Sequence, residues 1–227
     1  DSNIPVASGM GSSAAVSVSF TAALLRHLGI DYSRELVSRI AFEAEKIVHG
    51  KPSGIDNTIS TYGGFIVYQK NKGFRRIRVK WPEDYILLVA DTGIERSTKV
   101  AVEEVLDLYR RRTGIMKKVY DVAGILVREA IKALRKGDVK LLGDLMNINH
   151  GLLVSIGVAI PETEVIVHKA TRSGALGAKI TGAGLGGSVI ILCHIKRAPQ
   201  IVSIIEEHVK RILYVRPVSK GVRVKIE

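Results

Sequence analysis

The stretch Pro5–Ser19, PVASGMGSSAAVSVS, decides how the rest of the chain is read. Gly9 and Gly11 permit backbone conformations and close approaches that other residues resist. From Ser12 or Ser13 a run of small and apolar residues continues to Leu28, and Gly29 stops it, so the spacing predicts a helix. A helix start presents unpaired N–H groups and a partial positive charge. Behind two glycines it becomes a cradle for an anion, best suited to phosphate. Ser12 and Ser13 add hydroxyls able to bond a phosphate oxygen or help hold Mg²⁺. A plain serine N-cap after a tight turn is the alternative. The Gly-Lys-Ser/Thr ending of a Walker A loop is absent.

A second segment, FEAEKIVHGKPSGIDNTISTYGG, starts at Phe42. Ser33 can cap the helix before it, with Leu36, Val37, Ile40, Ala41, Ala44, Ile47 and Val48 on its inner face. Glu45 borders that apolar stripe, where a carboxylate is costly unless a partner or Mg²⁺ offsets its burial. A glutamate at the rim of the core, paired with a lysine, is the plainer option. Asp56 falls in a Pro-Ser-Gly loop, either capping a turn or aimed at a substrate hydroxyl. In a third segment, KITGAGLGGSVIIL, Gly182, Gly184, Gly186 and Gly187 lie between two strands. Four glycines in one connection predict a ligand or another backbone at very short range.

The elements between these motifs are mixed without a βαβ repeat. A hairpin is expected from GGFIVYQK and FRRIRVK around Asn71-Lys72-Gly73, then a buried strand YILLVADTG. Helices follow at about 97–112, 115–135, 139–156 and from Pro161, then a helix over 199–213 and a last strand over 222–226. The pattern predicts an α+β protein in two lobes, with a boundary near Trp81.

Composition sets outer limits. The 227 residues are 46% hydrophobic, enough for a substantial core. A single cysteine, Cys193, excludes an internal disulfide framework and a thiolate metal site. No apolar run reaches the length of a membrane span, and a reducing cytoplasm is the expected compartment. The net charge of +12 favours anionic partners. Aromatics are only 5%, and the clusters Arg110–Arg112 and Arg75–Arg78 lack interleaved rings, so no nucleic acid partner is expected.

In this order the three segments resemble the GHMP kinases, a family that includes galactokinase, homoserine kinase and the kinases of mevalonate and phosphomevalonate. IPVASGMGSSAAV is similar to the family's phosphate-binding motif, GALGAKITGAGLGG to its third motif, and LGDLMNINHGLL to the helix before it. HGKPSGIDN is the most specific stretch and points to the mevalonate-phosphorylating branch. The resemblance implies the two-lobed GHMP kinase fold: residues 1–82 as the remainder of an S5-like N-terminal lobe, and 83–227 as a ferredoxin-like C-terminal lobe. ATP and the hydroxy acid would meet between them.

Residue by residue, the resemblance implies that Gly9, Met10, Gly11, Ser12, Ser13, Ala14, Gly182, Ala183 and Gly184 handle ATP. Ser13 and Glu45 would hold Mg²⁺. Asp56 would be the catalytic carboxylate beside the C5 hydroxyl of mevalonate, with Thr98 and Gly182 as further substrate contacts. Met10, Leu185 and Ser188 depart from the usual leucine, glycine and cysteine. Family members carry strands and a motif with a lysine ahead of the glycine-serine turn, so this chain is expected to begin inside the first lobe. A homodimer is compatible with the resemblance. Another small-alcohol kinase of the family, an idle nucleotide sensor on the same scaffold, or an RNA-binding module remain alternative readings.

Overall fold

The computed structural model describes residues 11–49, 52–69, 72–94 and 98–225. The chain divides into two units, Asp1–Arg78 with Pro217–Glu227, and Val79–Arg216.

The first unit is built on three helices, α1 (Ser12–His27), α2 (Arg34–His49) and α3 (Ile55–Tyr62), followed by the antiparallel hairpin β1 (Phe65–Gln69) and β2 (Gly73–Ile77). Ser33 caps α2 as expected, its Oγ accepting from the Leu36 N–H at 3.1 Å. Val18, Ala22 and Leu25 of α1 pack against Val37 and Ala41 of α2. The inner face of α2 is narrower than its apolar count suggests. Ile40 is exposed and Ile47 is 87% exposed, whereas Glu45, one turn beyond Ala41, is buried. Position relative to α1 and α3, not hydropathy, selects the residues that go inside.

The second unit holds a four-stranded antiparallel sheet in the order β4-β5-β3-β6, from β3 (Tyr85–Asp91), β4 (Gly177–Thr181), β5 (Ser188–His194) and β6 (Arg211–Val215). Period-two alternation sends Ile86, Leu88 and Ala90 of β3 and Val189, Ile191 and Cys193 of β5 to one face. There they pack with Ile166 and Ala170 of α7 (Pro161–Arg172) and Ile201 and Ile205 of α8 (Ala198–Ile205). Pro161 opens α7 at a position where its missing N–H costs nothing. The helices α4 (Thr98–Arg111), α5 (Thr113–Lys136) and α6 (Val139–Ser155) fill the connection between β3 and α7. Gly143 of α6 and Gly177 of β4 abut so closely that a Cβ on either would overlap the other element's backbone. The α+β expectation holds.

Two expectations are corrected. The helix expected over 199–213 stops at Ile205, and after a 3₁₀ turn at Glu206–His208 the chain becomes β6. Ile212, Leu213, Tyr214 and Val215 suit a strand, and pairing with β3 satisfies their backbone. No strand forms over 222–225; Val222 and Val224 instead pack against the α1–α2 core. The two units part at Arg78/Val79, and Pro217–Glu227 belongs with the first unit. That return is fixed by backbone hydrogen bonds from Gly64 to Val218 and from Val222 to Ser60.

Candidate active site

The first turn of α1 supplies the anion-binding geometry. Gly11 is its N-cap, with φ 68° and ψ 29°, a left-handed conformation that L side chains resist. A Cβ at Gly11 would stand 3.2 Å from Asp56 Cβ and 3.3 Å from its Cγ, so glycine also makes room for that aspartate. Among the described residues the N-cap Gly11 makes no side-chain cap bond and the first turn holds no acidic residue, so the helix start presents its positive end. Ser13 does not act as a cap. Its hydroxyl donates to Glu45 Oε1 at 2.5 Å, the short distance of a hydroxyl on a carboxylate.

Glu45 and Asp56 face different surroundings. Glu45 is 6% exposed. Asp56 is exposed and lies in the first turn of α3. Gly54, at φ 86°, is the N-cap that turns the chain into α3. Tyr68 of β1 donates to the Ser53 carbonyl, and the Thr58 hydroxyl donates to Gly54 O at 2.6 Å. Asn57, buried beside Asp56 in sequence, anchors the helix by donating to Ser38 O and Oγ of α2, both at 3.1 Å. Sequence reading missed Asn57 and Ser38. An amide next to a candidate acid was the only signal.

The structure therefore gathers Gly11, Ser13, Glu45 and Asp56 in the first unit, with Ser12 and Ala14 in the same helix start. Gly9 and Met10 lie outside the described residues. Thr98, Gly182, Ala183 and Gly184 belong to the second unit. Thr98 is exposed and begins α4. The glycine-rich turn after β4 is held from behind. Leu185 N–H donates to Val158 O at 2.7 Å, and Gly187 N–H to Ile94 O at 3.0 Å. Thr92 returns two bonds to Gly187 O, from its N–H at 3.0 Å and its hydroxyl at 2.7 Å. A Cβ on Gly184 would overlap the Val158 carbonyl, so this glycine answers to a neighbouring backbone. Gly182, at φ 80°, meets nothing within 4 Å and is exposed. Val158, Thr92 and Ile94 carried no chemical signal in the sequence.

The donor set at Ser13 and Glu45 fits a hard divalent cation, pairing a hydroxyl oxygen with a carboxylate. Among the described residues no group of three His, Cys, Asp or Glu side chains could hold a metal ion. Mg²⁺ does not require such a cage, because it uses one or two carboxylates together with substrate phosphates and water.

Comparison with known proteins agrees with this architecture. The model of the GHMP kinases N terminal domain matches residues 1–64, and that of the GHMP kinases C terminal domain matches residues 130–211. The chain belongs to the GHMP kinase family. Among its relatives are mevalonate kinases. That of Aeropyrum pernix is 43% identical over 190 residues, which cover 84% of this chain and 58% of the relative. That of Thermococcus sibiricus is 40% identical over 202 residues, covering 87% of this chain and 60% of the relative. The crystal structure of L. major mevalonate kinase in complex with R-mevalonate superimposes with a TM-score of 0.86 at 36% identity, covering 92% of this chain and 66% of that one. The chain thus spans about three fifths of the length of these two sequence relatives.

Proposed function

We propose that this chain carries the phosphate- and metal-handling machinery of an ATP-dependent kinase that phosphorylates the C5 hydroxyl of mevalonate. One observation carries the reading. The glycine-led start of α1 sits with a buried acid bonded to its Ser13 and a second, exposed acid against its Gly11. The relatives' names supply the acceptor.

Phosphoryl transfer asks mainly for alignment and neutralised charge. The N–H groups of Ser12, Ser13 and Ala14 would hold phosphate oxygens of ATP, with Gly9 and Met10 as expected neighbours. Ser13 and Glu45 would hold Mg²⁺, which when bound neutralises charge on the β and γ oxygens. Asp56 would orient the mevalonate hydroxyl, or accept its proton late, as the new O–P bond forms and the bond from the γ-phosphorus to the β–γ bridging oxygen breaks to release ADP. Asp56 is exposed, as a group that meets a substrate must be, whereas Glu45 is buried beside the Ser13 hydroxyl at the helix start. In the second unit, we assign Gly182, Ala183 and Gly184 to ATP binding, and Thr98 and Gly182 to the substrate. No helix among the described residues is long and apolar enough to cross a membrane, and we assign the protein to the cytoplasm, where MgATP is available.

Release of ADP by the full-length protein, followed across a panel of alcohols with mevalonate and phosphomevalonate among them, tests the function. Turnover of mevalonate is expected, and turnover of a different alcohol alone would reassign the substrate. Asp56→Ala should lower kcat by about a thousandfold or more while nucleotide binding persists. Glu45→Gln should keep the fold and shift the Mg²⁺ requirement upward by about tenfold or more; an unchanged Mg²⁺ titration would remove Glu45 from the metal site.

A further inference from the structure

Residues 217–225 run back over the first unit, where the end of α3, β2 and the α1–α2 core all meet them. Gly64 N–H donates to Val218 O at 2.9 Å, and Val222 N–H to Ser60 O at 3.0 Å. The Arg76 guanidinium donates to Ser219 O at 2.8 Å. Gly63 and Gly221 cross with no space for a side chain. A Cβ on Gly63 would overlap Gly221 N and the Lys220 carbonyl, and one on Gly221 would overlap the Thr61 carbonyl and lie 2.7 Å from Gly63 N. Beyond the crossing, Val222 and Val224 seat in the α1–α2 core.

The contacts at Ser60, Thr61, Gly63 and Gly64 fall on the last turn of α3 and the two glycines after it, while Arg76 of β2 and the α1–α2 core hold the rest of the segment. Asp56 lies in the first turn of the same helix. Eight residues of α-helix span about 12 Å and tilt as one rod. Inside that rod the Thr61 hydroxyl, wholly buried, donates to Asn57 O at 2.7 Å, and Asn57 is tied to Ser38. The first turn is therefore pinned through Asn57, and the last turn is set by the strap.

We propose that residues 217–225 are a positioning element for Asp56, acting through α3, with Gly221 as the residue whose missing side chain lets the strap seat. The proposal rests on the assignment of Asp56 to the reaction. A strap that only added stability would raise the unfolding temperature without selecting this helix. A positioning strap controls where Asp56 stands, and a misplacement of about 1 Å can cost up to a hundredfold in rate.

The test compares Gly221→Ala in the full-length protein with Gly114→Ala, a helical glycine whose added Cβ meets nothing within 4 Å. For Gly221→Ala the expected result is a kcat lower by about tenfold or more, a KM for ATP within about threefold, and faster amide exchange confined to residues 55–62. Gly114→Ala should change none of these. A normal kcat, or exchange that quickens equally in α1, α2 and α3, would overturn the proposal. Should Gly221→Ala fail to fold, Arg76→Ala decides: a severalfold lower kcat at unchanged unfolding temperature supports positioning, and an unchanged kcat rejects it. Asp56→Ala measured in parallel separates two failures. If it turns over normally, the assignment of Asp56 falls and the proposal with it; if it is inactive while Gly221→Ala is normal, only the strap's role falls.

Discussion

Leu185 carries the only positive φ among the described non-glycine residues, 58°, in the glycine-rich turn after β4. A leucine there costs about 1–2 kcal/mol relative to an ordinary conformation. The bond from its N–H to Val158 O holds it in place, with Gly187 tied to Thr92 and Ile94 on the other side. The sequence marks Leu185 as bulk where the family keeps glycine, and the structure shows the consequence in its backbone. Leu185→Gly removes the strain but adds about 0.5–1 kcal/mol of unfolded-state freedom, so stability should stay within about 1 kcal/mol of the parent. Leu185→Val, branched at Cβ, should cost about 1–2 kcal/mol more than Leu185→Gly. Denaturant unfolding of the pair reads the difference directly, and equal stabilities would show that the left-handed backbone is not what limits this site.

Among elements, α6 meets the start of β4 at backbone contact. A Cβ at Gly143 would lie 2.5 Å from the Leu176 carbonyl oxygen and 2.7 Å from its carbon. Backbone cannot step aside as a flexible side chain can, so Gly143→Ala should destabilise by about 2 kcal/mol or more. Gly151, two turns along the same helix, has nothing within 4 Å of its would-be Cβ. Gly151→Ala should stabilise by about 1 kcal/mol through helix propensity alone. Opposite shifts in unfolding temperature for two Gly→Ala changes in one helix would establish the close approach; shifts of the same sign would refute it. Asn147, one turn from Gly143, bridges the start of β4, donating to Leu176 O at 3.1 Å and accepting from Ala178 N–H at 3.0 Å. The sequence offers MNIN as part of a familiar helix, yet nothing in it reveals that this amide serves a strand some thirty residues away.

On the scale of the whole molecule, two buried titratable groups of the second unit make stability depend on alkaline pH in opposite senses. Burial pushes the Cys193 thiol up to about 11. The folded state then keeps its proton where the unfolded chain releases it. That contribution is complete below the ordinary thiol range and is lost at about 1.4 kcal/mol per pH unit as pH rises towards 11. Burial moves the Lys179 ammonium the other way, below its ordinary value, and its Nζ donates to Ile180 O at 2.6 Å. The folded state holds that proton less tightly than the unfolded chain, so Lys179 favours folding more as pH rises through its window. The parent curve mixes both slopes. Cys193→Ala should therefore show a shallower alkaline loss of stability than the parent, and Lys179→Met a steeper one, in urea unfolding from pH 8 to 11. A Cys193→Ala curve parallel to the parent would count against the raised thiol.

Local order set what could be read in advance. The glycine-serine turn, the cap at Ser33, the strands around the third motif and the family itself follow from short-range pattern, because turns, caps and periodicity depend on neighbours a few residues away. Residue type and spacing also marked Ser12, Ser13, Glu45 and Asp56 as candidates, and the family resemblance narrowed them to Ser13, Glu45 and Asp56. Only the tertiary structure decided that Ile47 faces out while Glu45 goes in, that residues 211–215 pair with β3 instead of extending a helix, and that 217–225 close over α3. Each of those outcomes is settled by partners distant in sequence, whose packing and backbone hydrogen bonds outweigh the few tenths of a kcal/mol per residue by which local preference differs.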